Sequence, residues 1–185
     1  MAGRAPWCRP LEAWQATLRS WVERAEPQAL MELAIAFDFR PVGAGSAHAL
    51  ALRRHLGETL DACPAFFPRY AQQALRYKPP LRLFGRNLGG EHPGTLDLKE
   101  LLLPIVNAAR LYALRHGIDE THTLDRLAAL EARGVLPPAT RAELAVAWEL
   151  MQRLRFRHQG GRLAAGLAPD NRVDEKGLAP SDRAL

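Results

Sequence analysis

The stretch LDLKELLLPIVNAARLYALRHGI, residues 96–118, decides the predicted fold of this chain. Its second half is apolar almost all the way round a helix, which is typical of a helix at the centre of a bundle. The two polar exceptions are Asn107 and Arg110. An unpaired buried arginine would cost several kcal/mol. The pattern therefore leaves two alternatives for Arg110, which are an internal pair with Asp38 or Asp97 and contact with a ligand phosphate.

Six further helices are predicted from apolar residues at helical spacing and from capping residues. The seven helices are expected to start at Pro10, Pro27, Ser46, Pro64, Pro104, Thr123 and Pro138, and the last three to end at Gly117, Gly134 and the Gly160–Gly161 pair. Between Pro79 and Pro93 the helical pattern fails, which predicts one long irregular loop. Strand signals are nearly absent, so the predicted fold class is all-α, an irregular helical bundle of about seven helices.

Length and composition predict one compact domain spanning residues 1–185, since 185 residues at 48% hydrophobic are enough for one core. The two cysteines, Cys8 and Cys63, are too few for a disulfide framework, which fits the reducing cytoplasm. Apolar stretches are interrupted well short of the ~20 residues that a membrane span needs. We therefore expect a cytoplasmic chain without a membrane partner.

The charge balance is weakly basic, with 25 Lys plus Arg against 20 Asp plus Glu and a net charge of +5. Such a balance permits a polyanionic partner. No block of like charges occurs, however, so the pattern disfavours nucleic acid. A basic helical module that binds nucleic acid or another protein stays as the alternative function.

The common catalytic motifs are missing from the sequence. It contains no Asp-x-Asp, Walker loop, Gly-x-Gly-x-x-Gly, His-Glu-x-x-His or Gly-x-Ser-x-Gly, and its six histidines are too scattered to indicate a metal site. What remains are polar residues in apolar surroundings. His158 follows an apolar stripe on the seventh helix, which more often indicates a core histidine than a functional one. Lys99, beside Asp97, is either a phosphate contact or an ordinary surface lysine.

Six segments in order carry a family resemblance: PWCRPLEAW, AFDFRPV, LDLKELLLPIVNAARLYALRHGI, THTLDRLAALEARGVL, LRFRHQ and APDNR. Taken together over residues 7–185, they resemble the nucleotidyltransferase substrate-binding domain family. Members of that family are C-terminal helical domains of bacterial signalling proteins similar to the PII uridylyltransferase. The resemblance therefore implies a role in signal transduction.

The resemblance also implies a longer parent protein. In the family an upstream nucleotidyltransferase domain carries the Gly-Ser motif and the metal-binding aspartates, often together with CBS or cyclic-nucleotide sensor domains. We expect this chain to be a fragment, with Met1–Ala2 as the end of the catalytic domain and without a cofactor or activity of its own. Mg²⁺ and a nucleoside triphosphate are expected for the parent enzyme, which would act on a protein acceptor.

In the family the helical domain shapes the wall of the nucleotide or acceptor cleft. By resemblance, this role carries to Asp38, Arg40, Asp97, Lys99, Asn107, Arg110, His158 and Gln159. The cations Arg40, Lys99 and Arg110 would meet phosphates, and the amide and imidazole groups would bond ribose, base or acceptor. No catalytic or metal-binding residue is expected. Whether these residues bind ligand or stabilise the bundle is left open by the resemblance.

Overall fold

The structure is a computed structural model. It describes residues 8–41, 43, 46–76, 82–83, 86–87, 95–174 and 177–178, with the backbone alone at 82–83 and 86–87. Met1–Ala2 and most of the predicted loop at 79–93 lie outside the described residues.

Seven helices form the described part of the chain, which confirms the all-α fold class. They are α1 (Leu11–Arg24), α2 (Pro27–Ala36), α3 (Ser46–Ala62), α4 (Phe66–Ala74), α5 (Leu98–Arg115), α6 (Thr123–Ala132) and α7 (Pro138–Ala164). Two short antiparallel strand pairs accompany them: β1 (Arg82–Leu83) with β2 (Arg86–Asn87), and β3 (Thr95–Asp97) with β4 (Arg172–Asp174). The sequence did not predict the second pair, whose members are only three residues long.

The predicted start of α5 at Pro104 is wrong, because the helix begins at Leu98 and Pro104 lies inside it. The carboxylate of Asp97 accepts hydrogen bonds from the backbone N–H groups of Lys99, at 2.9 Å, and Glu100, at 3.2 Å. These are the donors that an N-cap side chain satisfies. Capping together with the burial of Leu98 extends the helix upstream of the proline.

The helix α5 is also less uniformly buried than its apolar sequence predicts. Asn107, Ala109, Arg110 and Ala113 are buried, whereas Tyr112 is 53% exposed. The polar pair thus lies on the buried side, and an apolar aromatic residue faces solvent. Hydropathy alone did not show which side of α5 faces solvent, since it cannot register a charge that is compensated in the interior.

The Gly160–Gly161 pair does not end α7 as predicted, since the helix continues to Ala164. Neither glycine has a positive φ, whereas Gly166 lies at φ +72° directly after the helix. A left-handed residue just past the last turn is what terminates a helix. Two glycines in the interior only weaken it, by about 1 kcal/mol each relative to alanine.

The chain divides into two compact units. Unit 1 comprises Met1–Gln73 and Arg110–Ala129, and unit 2 comprises Ala74–Ala109 and Leu130–Leu185. The divisions between the units fall inside helices α4, α5 and α6. The assignment of residues 1–185 to a single domain stays a prediction.

Unit 1 has an apolar core built from α1 to α4 and the end of α5. Its fully buried members include Leu18, Val22, Leu33 and Phe66. Phe37, which is 1% exposed, packs edge-on against Phe66 with ring centroids 6.2 Å apart. Because Asp38 directly follows Phe37, this aromatic contact fixes the place of the Asp38 carboxylate.

Unit 2 has a smaller core around Leu98, Leu154 and Leu178. The β3–β4 pair lies beside it, with Leu96 opposite Val173 in register. The backbone N–H of Leu98 donates to the carbonyl of Asn171 at 3.0 Å, which extends the pairing into the first turn of α5. Across the part of the chain that the structure describes, no helix is both long and apolar enough to cross a membrane.

Candidate functional site

Asp38 is the centre of a charged cluster in unit 1. Arg110, on α5, donates from Nη2 to Oδ2 at 2.5 Å and from Nε to Oδ1 at 3.5 Å. Arg126, on α6, donates from Nη2 to Oδ1 at 2.6 Å. The arginine side chains are only 10% and 3% exposed, whereas that of Asp38 is 35% exposed. Of the sequence-based alternatives for Arg110, the structure therefore shows the internal pair with Asp38.

Arg126 is a member of this cluster that the sequence analysis missed. Its Nε also donates to the backbone carbonyl of Glu120 at 2.7 Å. The sequence shows Arg126 at helical spacing between Thr123 and Leu130, and the structure adds that all three are buried. A charge on an apolar stripe indicates a buried partner here, as it does at Arg110.

Arg110 and the neighbouring Tyr70 both have raised pKa values. Burial acts to lower the pKa of Arg110, but the hydrogen bonds with Asp38 and the charges around it outweigh this effect and raise the pKa above its ordinary value. Burial raises the pKa of the neighbouring Tyr70 hydroxyl, although the charge of Arg110 opposes the shift. Both shifts move the pKa further above 7, so neither Arg110 nor Tyr70 exchanges protons near neutral pH.

A second polar cluster, in unit 2, joins α7 to the segment before β4. His158 Nε2 lies 2.7 Å from Asp170 Oδ1, and Gln159 Nε2 donates to Asn171 Oδ1 at 3.0 Å. Arg155 Nε donates to the same Asn171 oxygen at 2.8 Å. The LRFRHQ and APDNR motifs therefore bond to each other, which gives both motifs a structural role.

The carboxylate of Asp170 has its charge stabilised on several sides. The side-chain hydrogen bond from His158 is the main cause of a lowered pKa at Asp170, followed by the bond from the backbone N–H of Arg172. Arg162 Nη2 adds a further positive charge 3.2 Å from Asp170 Oδ2. The contact between His158 and Asp170 is therefore an ion pair whenever His158 is protonated, and a charge-assisted hydrogen bond otherwise.

The remaining candidate residues are placed separately. Asp97 caps α5, Asn107 is buried on α5, and the side chains of Arg40 and Lys99 are exposed. Neither of these two exposed cations makes a side-chain hydrogen bond or an ion pair with any residue that the structure describes. The candidate residues therefore form two groups. The side chains of the first group bond to other parts of the chain, and the second group consists of the two exposed cations.

Within the described residues, no group of three or more His, Cys, Asp or Glu side chains is arranged to hold a metal ion. The charged clusters contain one carboxylate each, and each carboxylate is already bonded to cationic or imidazole groups.

Comparison with known proteins gives one family. Residues 64–185 match the family described as "putative nucleotidyltransferase substrate binding domain". No curated protein and no solved structure gives a significant match. The matched range is shorter than the 7–185 of the sequence resemblance, and it includes Arg110, Arg126 and His158 but not Asp38. Since this match covers well over half of the chain, the protein belongs to the nucleotidyltransferase substrate-binding domain family.

Proposed function

We propose that the chain is the helical substrate-binding part of a bacterial, cytoplasmic signalling protein similar to the PII uridylyltransferase. The observation that carries this proposal is the family match over residues 64–185. The catalytic step belongs to an upstream nucleotidyltransferase domain, which supplies the carboxylates that hold Mg²⁺ and the nucleoside triphosphate. CBS or cyclic-nucleotide sensor domains and a protein acceptor are the further partners of the parent protein.

We assign different roles to the two groups of candidate residues. The bonded residues, among them Asp38, Arg110 and His158, hold helices and the β4 segment in place, because their polar atoms already have partners. Arg40, in unit 1, and Lys99, in unit 2, are exposed cations, and we assign to each, taken by itself, a contact with phosphate. The domain then contributes binding energy and positioning but no reacting group.

Isothermal titration tests the proposed function. ATP or UTP with Mg²⁺ is added to the 185-residue chain and, in parallel, to a protein that also contains the upstream nucleotidyltransferase domain. We expect weak or no binding to the chain alone and clear binding to the longer protein. Equal affinity of both for the nucleotide would contradict an accessory role.

The assignment of Arg40 and Lys99 is tested in the same longer protein. Arg40→Ala and Lys99→Ala should each weaken nucleotide binding about threefold to tenfold, since each removes one solvent-exposed, charge-assisted contact. The matched control is Arg54→Ala, which removes an equally exposed arginine from α3. If the control weakens binding as much as the two test variants, the effect is one of net charge and the assignment is wrong.

A further inference from the structure

A small cavity inside unit 1 has two arginines in its wall. It lies where α3, the end of α5 and the start of α6 meet, and its volume is about 50 Å³. The charged residues that line it are Arg53, Asp119 and Arg126, and the others are apolar residues and two glycines. None of the candidate residues derived from the sequence lines this cavity, although Arg126 joins it to the cluster around Asp38.

Arg126 brings an incompletely used guanidinium to the cavity. Its side chain is 3% exposed, its Nε bonds to the carbonyl of Glu120, and its Nη2 bonds to Asp38. The third nitrogen, Nη1, has no hydrogen-bond partner among the residues that the structure describes. A charged donor that is not fully enclosed by protein can take its partner from water or from a ligand. The cavity beside Arg126 is the space from which such a partner can come.

Arg53 supplies the second cation. Its Nη2 donates to the carbonyl of Phe39 at 2.7 Å, and its guanidinium lies 4.6 Å from the centre of the Phe39 ring. These two contacts fix its orientation. The carboxylate of Asp119 is 3.6 Å from Nη1, too far for a good hydrogen bond, and its side chain is 77% exposed. An incoming anion can therefore take the place of Asp119.

The charge of the wall and the volume of the cavity determine which ligand the cavity can hold. Arg53 and Arg126 in the wall, together with Arg110 behind Asp38, carry three positive charges against the two negative charges of Asp38 and Asp119, so an anion is favoured. Each buried water needs about 10–15 Å³ in a cavity, so this one has room for roughly three to five water-sized atoms. A tetrahedral oxyanion has four oxygens and matches that number. A nucleoside is far too large to enter.

We propose that this cavity binds a phosphoryl group between Arg53 and Arg126, with Asp119 as the carboxylate that the phosphoryl group displaces. The proposal rests on the proposed function only in choosing phosphate over other small oxyanions. The group is either free phosphate or the terminal phosphate of a nucleotide, and both offer the same oxygens to the two guanidiniums.

The ligand is tested with the full 185-residue chain at constant ionic strength, by titration with inorganic phosphate, ATP and adenosine. We expect phosphate to bind, ATP to bind about as tightly as phosphate or more weakly, and adenosine to show no binding. If the chain binds inorganic phosphate but does not bind ATP, the natural ligand of the cavity is the free ion and not a nucleotide. Binding of adenosine, or no binding of either phosphate or ATP, would overturn the proposal.

The position of the bound phosphate is tested with Gly57→Glu and with its uncharged counterpart, Gly57→Gln. Gly57 lines the cavity from within α3, and a Cβ there would meet no atom within 4 Å. The carboxylate of Gly57→Glu should occupy the cations and weaken phosphate binding at least about tenfold, whereas Gly57→Gln should have a smaller effect. Asp119→Asn should strengthen phosphate binding, because it removes the competing carboxylate. Identical affinities in all three variants would place the bound phosphate elsewhere.

The two proposals can fail separately. If the longer protein binds nucleotide but the chain binds no phosphate, only the cavity inference is lost. If the chain binds phosphate at Arg53 and Arg126 but the longer protein gains no nucleotide affinity, the oxyanion site stands and the proposed function falls.

Discussion

At the scale of single residues, Asp38 is the most connected candidate, because one carboxylate accepts hydrogen bonds from two nearly buried arginines. Asp38→Asn keeps the shape of the side chain but removes the negative charge to which both guanidiniums are bonded. We expect the free energy of unfolding to fall by about 3 kcal/mol, the lower end for breaking a buried pair, because Asp38 is partly exposed. Urea denaturation measures the change.

The control for this variant is Asp61→Asn, which removes an exposed carboxylate in the last turn of α3. Surface substitutions of this kind change stability by at most about 0.5 kcal/mol. An Asp38→Asn protein as stable as the control would mean that the cluster contributes no net stability.

The lowered pKa of Asp170 makes the stability of the folded chain depend on pH. Its pKa in the folded chain is lowered from the ordinary value of 3.8, chiefly by the hydrogen bond from His158. The ionised carboxylate of Asp170 therefore stabilises the folded chain fully above pH 3.8. This stabilisation is lost as the pH falls through the lowered pKa of Asp170. Asp170→Asn should abolish this part of the acid destabilisation, whereas Glu149→Gln, an exposed residue on α7, should not. Urea unfolding between neutral and acidic pH compares the two variants.

The sequence could predict that Arg110 needs a partner but not which one. A charge in an apolar helix raises the question by itself, whereas the choice between Asp38 and Asp97 depends on tertiary structure. Asp97 is used locally as a helix cap, and Asp38 is placed by the packing of Phe37. Neither fact can be derived from spacing along the chain.

At the scale of elements, the cap of α5 is the first testable feature. Asp97→Ala should destabilise the protein by about 1 kcal/mol, since it leaves the N–H groups of Lys99 and Glu100 without their acceptor. Amide exchange at these two residues should accelerate as well. Asp97→Ser, which can still cap, is the control and should change both quantities much less. Unchanged exchange in Asp97→Ala would contradict a helix start at Leu98.

Alanine should have opposite effects at Gly160, inside α7, and at Gly166, just after the end of α7. Gly160→Ala should stabilise the protein by about 0.5–1 kcal/mol, because Gly160 is helical and exposed, and an added Cβ would meet no atom within 4 Å. Gly166→Ala should destabilise it, since Gly166 has φ +72°. Thermal unfolding of the two variants gives the comparison, and shifts of the same sign would contradict the continuation of α7 to Ala164.

The elements show which local signals are reliable. Helices with regular apolar spacing were predicted well, and Gly117 and Gly134 end α5 and α6 with positive φ values as expected. The predicted helix start at Pro104 and the predicted helix end at Gly160–Gly161 were wrong. A helix cap and tertiary contacts outweigh the cost of placing proline or glycine inside a helix. The β3–β4 pair was missed, since three-residue strands carry no periodic signal and their partners are distant in sequence.

At the scale of the whole molecule, the division into two units raises the question of cooperativity. Helices α5 and α6 each supply residues to both units. A single domain, as predicted, should unfold as one. Leu33→Ala removes a fully buried side chain from unit 1 at a cost of about 2–5 kcal/mol. The amide of Leu98, which bonds to Asn171 in unit 2, should then lose protection against hydrogen exchange by the same free energy.

The comparison for this experiment is Leu154→Ala, made in the core of unit 2. In a single cooperative domain both variants lower the protection of Leu98 by the full loss of stability. If Leu33→Ala leaves Leu98 fully protected, the chain contains two independent folding units and the single-domain prediction is wrong.

The cluster around Asp38 has a consequence for biosynthesis. Its two arginines follow Asp38 by 72 and 88 residues. At about 5–20 residues per second, a ribosome needs roughly 4–18 seconds to advance from Asp38 to Arg126. During that interval the nascent chain exposes a carboxylate without its cations. Premature termination before Arg126 therefore yields a product in which Asp38 lacks one of its two cations.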